Sequence, residues 1–290
     1  MSSKNLSSKN NEESFVFRYS DPMELGIGNT EAVLLRTVRR FDIDEPYENI
    51  TLFPCIRTAT CHTTGQKVQT GIVFQLFYTS YPLPRRKGNE QRRYRRMPLG
   101  HGECWNIENC MYEDSETRQS VVASLEAAHA APGCYLSTDF SDNAPESKLT
   151  GCSLGLSVMA CVLGLPRFAY TGWITPYSID PSDLIIGSVR GIGAKMKFCR
   201  ENNIVFFLSS SALESFKAQA KEMPSDISAA DMMVLEKSSN NRYYNIDQYL
   251  KGARFDMNIF EAVEINSFPE AVILSLAIAS QQAIEKMHAQ

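Results

Sequence analysis

No Gly-x4-Gly-Lys-Ser/Thr segment occurs anywhere in the 290 residues, so the usual phosphate-cradling loop of ATP-driven machines is missing. No two of the eight cysteines form a Cys-x2-Cys pair, and the four histidines, His62, His101, His129 and His288, stand apart. The dense ligand spacing of a structural zinc site is therefore absent, and neither a metal nor a cofactor is expected. The most apolar stretches, near residues 153–165 and 271–279, fall short of the ~20 residues that span a bilayer. Charge of one sign is also scarce: a formal net charge of −4 gives no global reason to bind nucleic acid or an anionic membrane. The opening Met1-Ser-Ser-Lys-Asn lacks the apolar run of a signal peptide, which leads us to expect reduced thiols and a cytoplasmic or other intracellular setting.

What is present is an ordinary globular composition, 43% apolar, enough for a substantial core. Residues 1–14 are polar and aperiodic and read as a disordered tail. Over 15–64, short apolar runs such as Ala32-Val-Leu-Leu and Ile50-Thr-Leu-Phe are broken by Asp, Pro and Gly, the pattern of a β-rich N-terminal extension. Residues 65–265 then alternate strand and helix signals. Val68–Ser80 reads as an extended hairpin arm, and Asp114-Ser-Glu-Thr opens a helix running to about Ala130. Cys134–Phe140 reads as a strand, residues 140–150 as a polar loop, and Ser153–Leu165 as an apolar helix stopped by Pro166. Strands are expected over Phe168–Ile174, Asp183–Val189 and Ile204–Leu208, with a helix over Ala194–Asn202 and further elements at Ser211–Lys221, Met232–Leu235 and Ile246–Leu250. Residues 266–290 form a C-terminal helix packed on this domain. The alternation argues for an α/β (α+β) layered fold.

Two segments carry local chemistry. Pro84 to Arg96 holds seven positive residues and one negative, and reads as an exposed loop. Its portion 85–96 is either simply solvated or a grip for an acidic partner or nucleic acid phosphates. The second segment is Leu149-Thr-Gly-Cys-Ser-Leu-Gly-Leu-Ser, where a polar loop passes through glycine into an apolar helix. A serine at such a helix start has an exposed hydroxyl beside unpaired backbone N–H groups that can hold a developing oxyanion. Ser153 is thus a candidate nucleophile, its plain alternative being a helix N-cap. Gly151 and Gly155 allow a substrate backbone or a neighbouring strand to come close. Cys152 is read as a buried thiol, since adjacent residues at a helix start point different ways and no histidine supplies a cysteine-protease setting.

The order of segments around Ser153 resembles the proteolytic domain of Lon proteases, a Ser-Lys dyad family. Gly71-Ile-Val-Phe-Gln-Leu-Phe-Tyr looks like the family's early strand, and Met97-Pro-Leu-Gly-His-Gly-Glu followed by Met111-Tyr-Glu-Asp-Ser resembles its next strand and first helix. Gly151-Cys-Ser-Leu-Gly resembles the family's Gly-Pro-Ser-Ala-Gly, which carries the nucleophile. Thr171-Gly-Trp-Ile-Thr resembles Thr-Gly-Glu-Ile-Thr, and Ile192-Gly-Ala-Lys-Met-Lys resembles Ile-Gly-Gly-Leu-Lys-Glu-Lys. The resemblance implies a Lon-type, ribosomal protein S5 domain 2-like fold over 65–265. More distantly, the ATPase-free Ser-Lys polyprotein proteases of birnaviruses are similar in principle.

If the resemblance holds, Ser153 attacks the scissile carbonyl of a polypeptide substrate, and an uncharged lysine serves as general base and then general acid. Lys195 fills that role after a one-residue gap, with Lys197 as the alternative. Thr171 orients the amine, and the Ser153 N–H contributes to the oxyanion hole, with Gly151, Cys152 and Gly155 shaping the loop. Trp173, the 176–186 insertion and the 140–150 loop would set specificity. Without an ATPase, cleavage is confined to flexible segments or to those delivered by a separate unfoldase. A homo-oligomer is compatible with the apolar C-terminal helix. Two rival readings stay open: a non-catalytic interaction or assembly protein of the same fold, and a small-molecule kinase of related fold, which places a similar loop before an apolar helix.

Overall fold

The computed structural model describes residues 15–17, 36–38, 48–60, 67–80, 94–100, 103–140, 149–174, 186–187, 189, 191–222 and 242–288. The expected tail at 1–14, the 141–148 part of the polar loop, the strand at 183–185, the element at 232–235, basic residues 85–93 and the 176–185 insertion lie outside them. The chain divides into two compact units, Met1–Pro46 and Tyr47–Gln290. In the first, β1 (Phe15–Phe17) pairs antiparallel with β2 (Arg36–Val38).

The second unit is a mixed α/β structure built on one nine-stranded sheet. Its longest pairing is the hairpin of β3 (Asn49–Thr60) and β4 (Lys67–Thr79), in register from Asn49 opposite Tyr78 to Thr60 opposite Lys67. The expected boundary at 64/65 is therefore corrected. A strand that shares a twelve-residue ladder with β4 belongs to the main unit, whose boundary falls between Pro46 and Tyr47.

Beyond β4 come β7 (Tyr135–Thr138), β6 (Glu103–Glu108) and, at the edge, β5 (Tyr94–Gly100). Tyr94, Arg95 and Arg96 are thus strand residues, which corrects the end of the expected basic loop. On the other side of β3 lie β8 (Ala169–Thr171), β11 (Phe206–Ser209), β13 (Ala262–Ile265) and β12 (Tyr243–Tyr244), all parallel to their neighbours. β9 (Trp173–Ile174) and β10 (Ile186–Gly187) form a separate antiparallel pair.

Six α-helices and a short 3-10 turn (Asn109–Met111) complete the described unit: α1 (Ser115–Ala127), α2 (Gly155–Val162), α3 (Ile192–Glu201), α4 (Ser210–Glu222), α5 (Ile246–Leu250) and α6 (Phe268–His288). α2 is apolar all round, and every residue from Gly155 to Cys161 is buried. Such a helix belongs inside a core rather than on a surface. Leu156 and Met159 pack with Tyr170, Phe207, Val263 and Leu274, while Val158 and Cys161 pack with Phe53, Phe74, Val121 and Leu136. α2 is therefore shared by two cores, one reaching to α6 and one to α1. Its internal polar groups are met by strands: Thr51 donates to the Ser157 carbonyl (3.2 Å), and the Ser157 hydroxyl donates to the Tyr170 carbonyl.

α3 lies against β4, and the approach is permitted by Gly71. A Cβ there would stand 2.7 Å from the Phe198 Cβ and against the carbonyl of Ala194. The start of α3 has a second requirement at Gly191, whose φ of +65° is left-handed and whose missing side chain makes room for Ile56. Gly71→Ala is expected to push α3 off the sheet and to lower stability by about 1–3 kcal/mol. A shift of the urea midpoint to lower concentration at unchanged slope checks this.

Candidate active site

The loop entering α2 is held from α1 by three polar side chains one turn apart. Asp114 caps α1, accepting from the Thr117 N–H (2.9 Å), and accepts from the Gly151 N–H (3.3 Å) through the same oxygen. The Thr117 hydroxyl lies 2.9 Å from both that carboxylate and the Gly151 carbonyl. The Ser120 hydroxyl donates to the Cys152 carbonyl (2.7 Å). The bonds from Thr117 and Gly151 hold the Asp114 carboxyl below the usual carboxylate range, the Thr117 N–H contributing most.

Ser153 follows directly. It sits in the turn before α2, half-buried, and is not the cap: that position belongs to Leu154, which makes no side-chain capping bond. The expected helix start at Ser153 thus moves two residues on, to Gly155. The Ser153 carbonyl accepts from the Gly172 N–H (3.1 Å), and the Gly172 carbonyl accepts from the Leu156 N–H (3.0 Å). Gly155 is needed for packing, since a Cβ there would lie 2.7 Å from the Ser120 hydroxyl and 3.0 Å from the backbone nitrogen of Ile174. Gly151 adopts φ +93° with open space around its α-carbon. Cys152 is half-buried rather than buried.

The two candidate lysines have different surroundings. Lys197 is partly exposed and pairs with Glu201 one turn on, at 3.7 Å. Lys195 is only 2% exposed, and its amine donates to the Thr171 hydroxyl at 3.3 Å. Thr171 is fully buried at the end of β8, and the next residue is the Gly172 that binds Ser153. Lys195, Thr171 and the Ser153 loop are therefore joined by one continuous set of bonds. The pairing between β3 and β8 consists of Leu52 opposite Ala169 alone, so Thr171 and Cys55 lie past the point where these two strands are joined.

No described carboxylate forms an ion pair with Lys195. Burial holds its amine below the ordinary lysine range; ionised Cys55, Cys199 or Cys152 nearby would act the other way. Burial also pushes the Cys55 thiol up to about 12 and raises that of Cys199. At neutral pH those two thiols carry no charge, so neither opposes the effect of burial on the amine.

Sequence reasoning named Ser153, Lys195 and Thr171 but missed Asp114, Thr117 and Ser120 as loop anchors. A signal was there. Thr117, Ser120 and Ser124 recur at helical spacing and are all buried, a polar stripe on a face that a solvated helix would not place inside. No group of three or more His, Cys, Asp or Glu side chains among the described residues could hold a metal, and no described helix is long and apolar enough to cross a membrane. No protein-family model matches the chain, and no curated protein and no solved structure matches it significantly.

The lowered amine pKa has a stability consequence. The unfolded lysine titrates near 10.5 and the folded one below that, so between the two values the unfolded state binds more protons and stability falls as pH falls. Below the folded value both states are protonated and the loss levels off. Lys195→Met is expected to remove this slope and to raise neutral-pH stability by on the order of 1–3 kcal/mol. Denaturant midpoints of both proteins between pH 6 and 10 check it.

Proposed function

We propose that this protein is an ATP-independent serine endopeptidase of Lon-like type, with Ser153 as nucleophile and Lys195 as general base. The observation that carries the reading is a buried lysine amine that pairs with no described carboxylate and is bonded to Thr171, next in sequence to the glycine that binds the Ser153 loop. A solvated lysine is a cation and cannot accept a proton at neutral pH; a desolvated one can. The Thr171 hydroxyl fixes the amine's direction. Ser153 is free of the capping role that would otherwise occupy its side chain.

In this mechanism Lys195 takes the Ser153 proton as the oxygen attacks a peptide carbonyl, and the Ser153 N–H steadies the oxyanion. The protonated amine then gives its proton to the leaving nitrogen. An ester remains on Ser153, and a water, activated by the same amine, releases it. Neither a metal nor a nucleotide takes part. Polypeptide substrates would be flexible segments, including parts of a polyprotein, or chains delivered by a separate unfoldase.

The kinase reading has less support. Phosphate cradling needs several free N–H groups at the helix start, and the Leu156 N–H is already committed to Gly172.

Cleavage of an unstructured protein and of the chain itself, followed by mass spectrometry, tests the proposal. Ser153→Ala and Lys195→Ala are each expected to lower kcat/KM at least about a thousand-fold with the circular dichroism spectrum unchanged. The wild-type rate should rise with pH through an inflection below the ordinary lysine range, because the base acts only when neutral. Retained cleavage in either variant would remove the dyad. Absence of cleavage by the wild type, with and without candidate unfoldases, would favour a non-catalytic interaction protein.

A further inference from the structure

α6 has two apolar faces, and only one of them is used within the described chain. Phe268, Ala271, Leu274 and Ile278 face the core. On the opposite side Ile273, Leu276, Ile284 and Met287 are 46%, 50%, 44% and 67% exposed. At 100° per residue all four fall within about 40° of Ser280, so they form a straight stripe roughly 21 Å long. Soluble chains rarely leave such a stripe uncovered.

The stripe is the same read in either direction. Four residues from Ser280 stand Leu276 and Ile284, seven residues away stand Ile273 and Met287, and three away stand Ala277 and Ala283. A surface with that property fits itself when one helix is turned end for end, as a two-fold interface requires. The middle of the stripe is small, which lets two helices approach to about 8 Å. The Ser280 hydroxyl donates to the Leu276 carbonyl (2.8 Å), so covering it leaves no unmet polar group.

The ends of the helix select the same arrangement. The first turn of α6 carries Glu270 and the last turn Lys286 and His288. Glu270 and His288 lie on one flank, each about 80° round from Ser280, some 15 Å before and 12 Å after it along the axis. Antiparallel pairing brings Glu270 of each copy beside His288 of the other and opposes the two helix dipoles. Parallel pairing would set like ends together.

We propose that α6 is the contact of a two-fold homodimer, in which the stripe centred on Ser280 pairs antiparallel with its copy. This stands apart from the reading of Ser153 and Lys195, none of whose residues it uses. The core-facing residues of α6 are left as they are, so each chain keeps its fold on dissociation.

Sedimentation equilibrium of the full chain tests it. The expected mass is twice 32.5 kDa, and Leu276→Glu with Ile284→Glu is expected to give a monomer of unchanged circular dichroism. Under mild oxidation Ser280→Cys should give a disulfide-linked dimer that the wild type, treated alike, does not. Ile273→Cys should cross-link only when mixed with Met287→Cys. A wild-type monomer at about 100 μM would overturn the proposal, as would a dimer that survives the double substitution. A dimer in which Ser280→Cys fails to cross-link would overturn the antiparallel register. A monomer that binds anionic vesicles through Leu276 and Ile284 would assign the stripe to a membrane surface instead.

Discussion

A buried amine with no ion-pair partner among the described carboxylates is the constraint on which the arrangement around Lys195 turns. A lysine taken out of water either finds a counter-charge or holds its proton less tightly, and here the described neighbours include a threonine hydroxyl and the Cys55 and Cys199 thiols, whose ionisation burial opposes. The cost of that burial must be offset by packing. The packing comes from α3 lying tightly on β4, which needs Gly71 beneath it and a left-handed Gly191 at its start. The same two glycines therefore set where the amine ends up. In the proposed chemistry the stability lost at Lys195 is what makes it a base.

The second half of the site comes from α2 and the loop that leads into it. α2 is anchored in two cores at once, and its leading loop is tied down by α1 and by Gly172. Ser153 is thereby placed by backbone bonds on both sides, while its hydroxyl is left out of the helix cap. Thr171 and Gly172 link the halves, one taking the lysine and the other the serine loop. Both residues are thus positioned by described helices and strands, which hold a side chain more precisely than loops do.

Some of this was legible in the sequence for simple reasons. The run Gly71 to Thr79 is almost uninterruptedly apolar or β-branched and is a strand buried at all but Ile72, and Asp114 precedes a helical pattern and caps it. Ser153, Thr171 and Lys195 could be singled out because they sit in short segments that resemble a known family in order and spacing. Composition could not separate Lys195 from Lys197, since two residues along a helix turn a side chain by about 200° and only tertiary packing decides which is inside. The domain boundary was misplaced because residues 50–53 read as an isolated strand, and pairing with β4 is a tertiary fact. Tyr94 to Arg96 form an edge strand despite their charge, because an edge tolerates, and is protected by, exposed arginines. The loop anchors Thr117 and Ser120 were passed over as ordinary small polar residues.

The protonation of one amine tests the account most directly. Titration of the Lys195 side chain by NMR, with selectively labelled lysine and Lys195→Arg to assign the signal, reads it without reference to any substrate. The account predicts a lysine that loses its proton below the ordinary value of 10.5, apart from the bulk of the other lysines, and whose signal shifts in Thr171→Val. A Lys195 that titrates with the solvent-exposed lysines and ignores Thr171 would contradict it, and the case for a Ser-Lys dyad would fall with it.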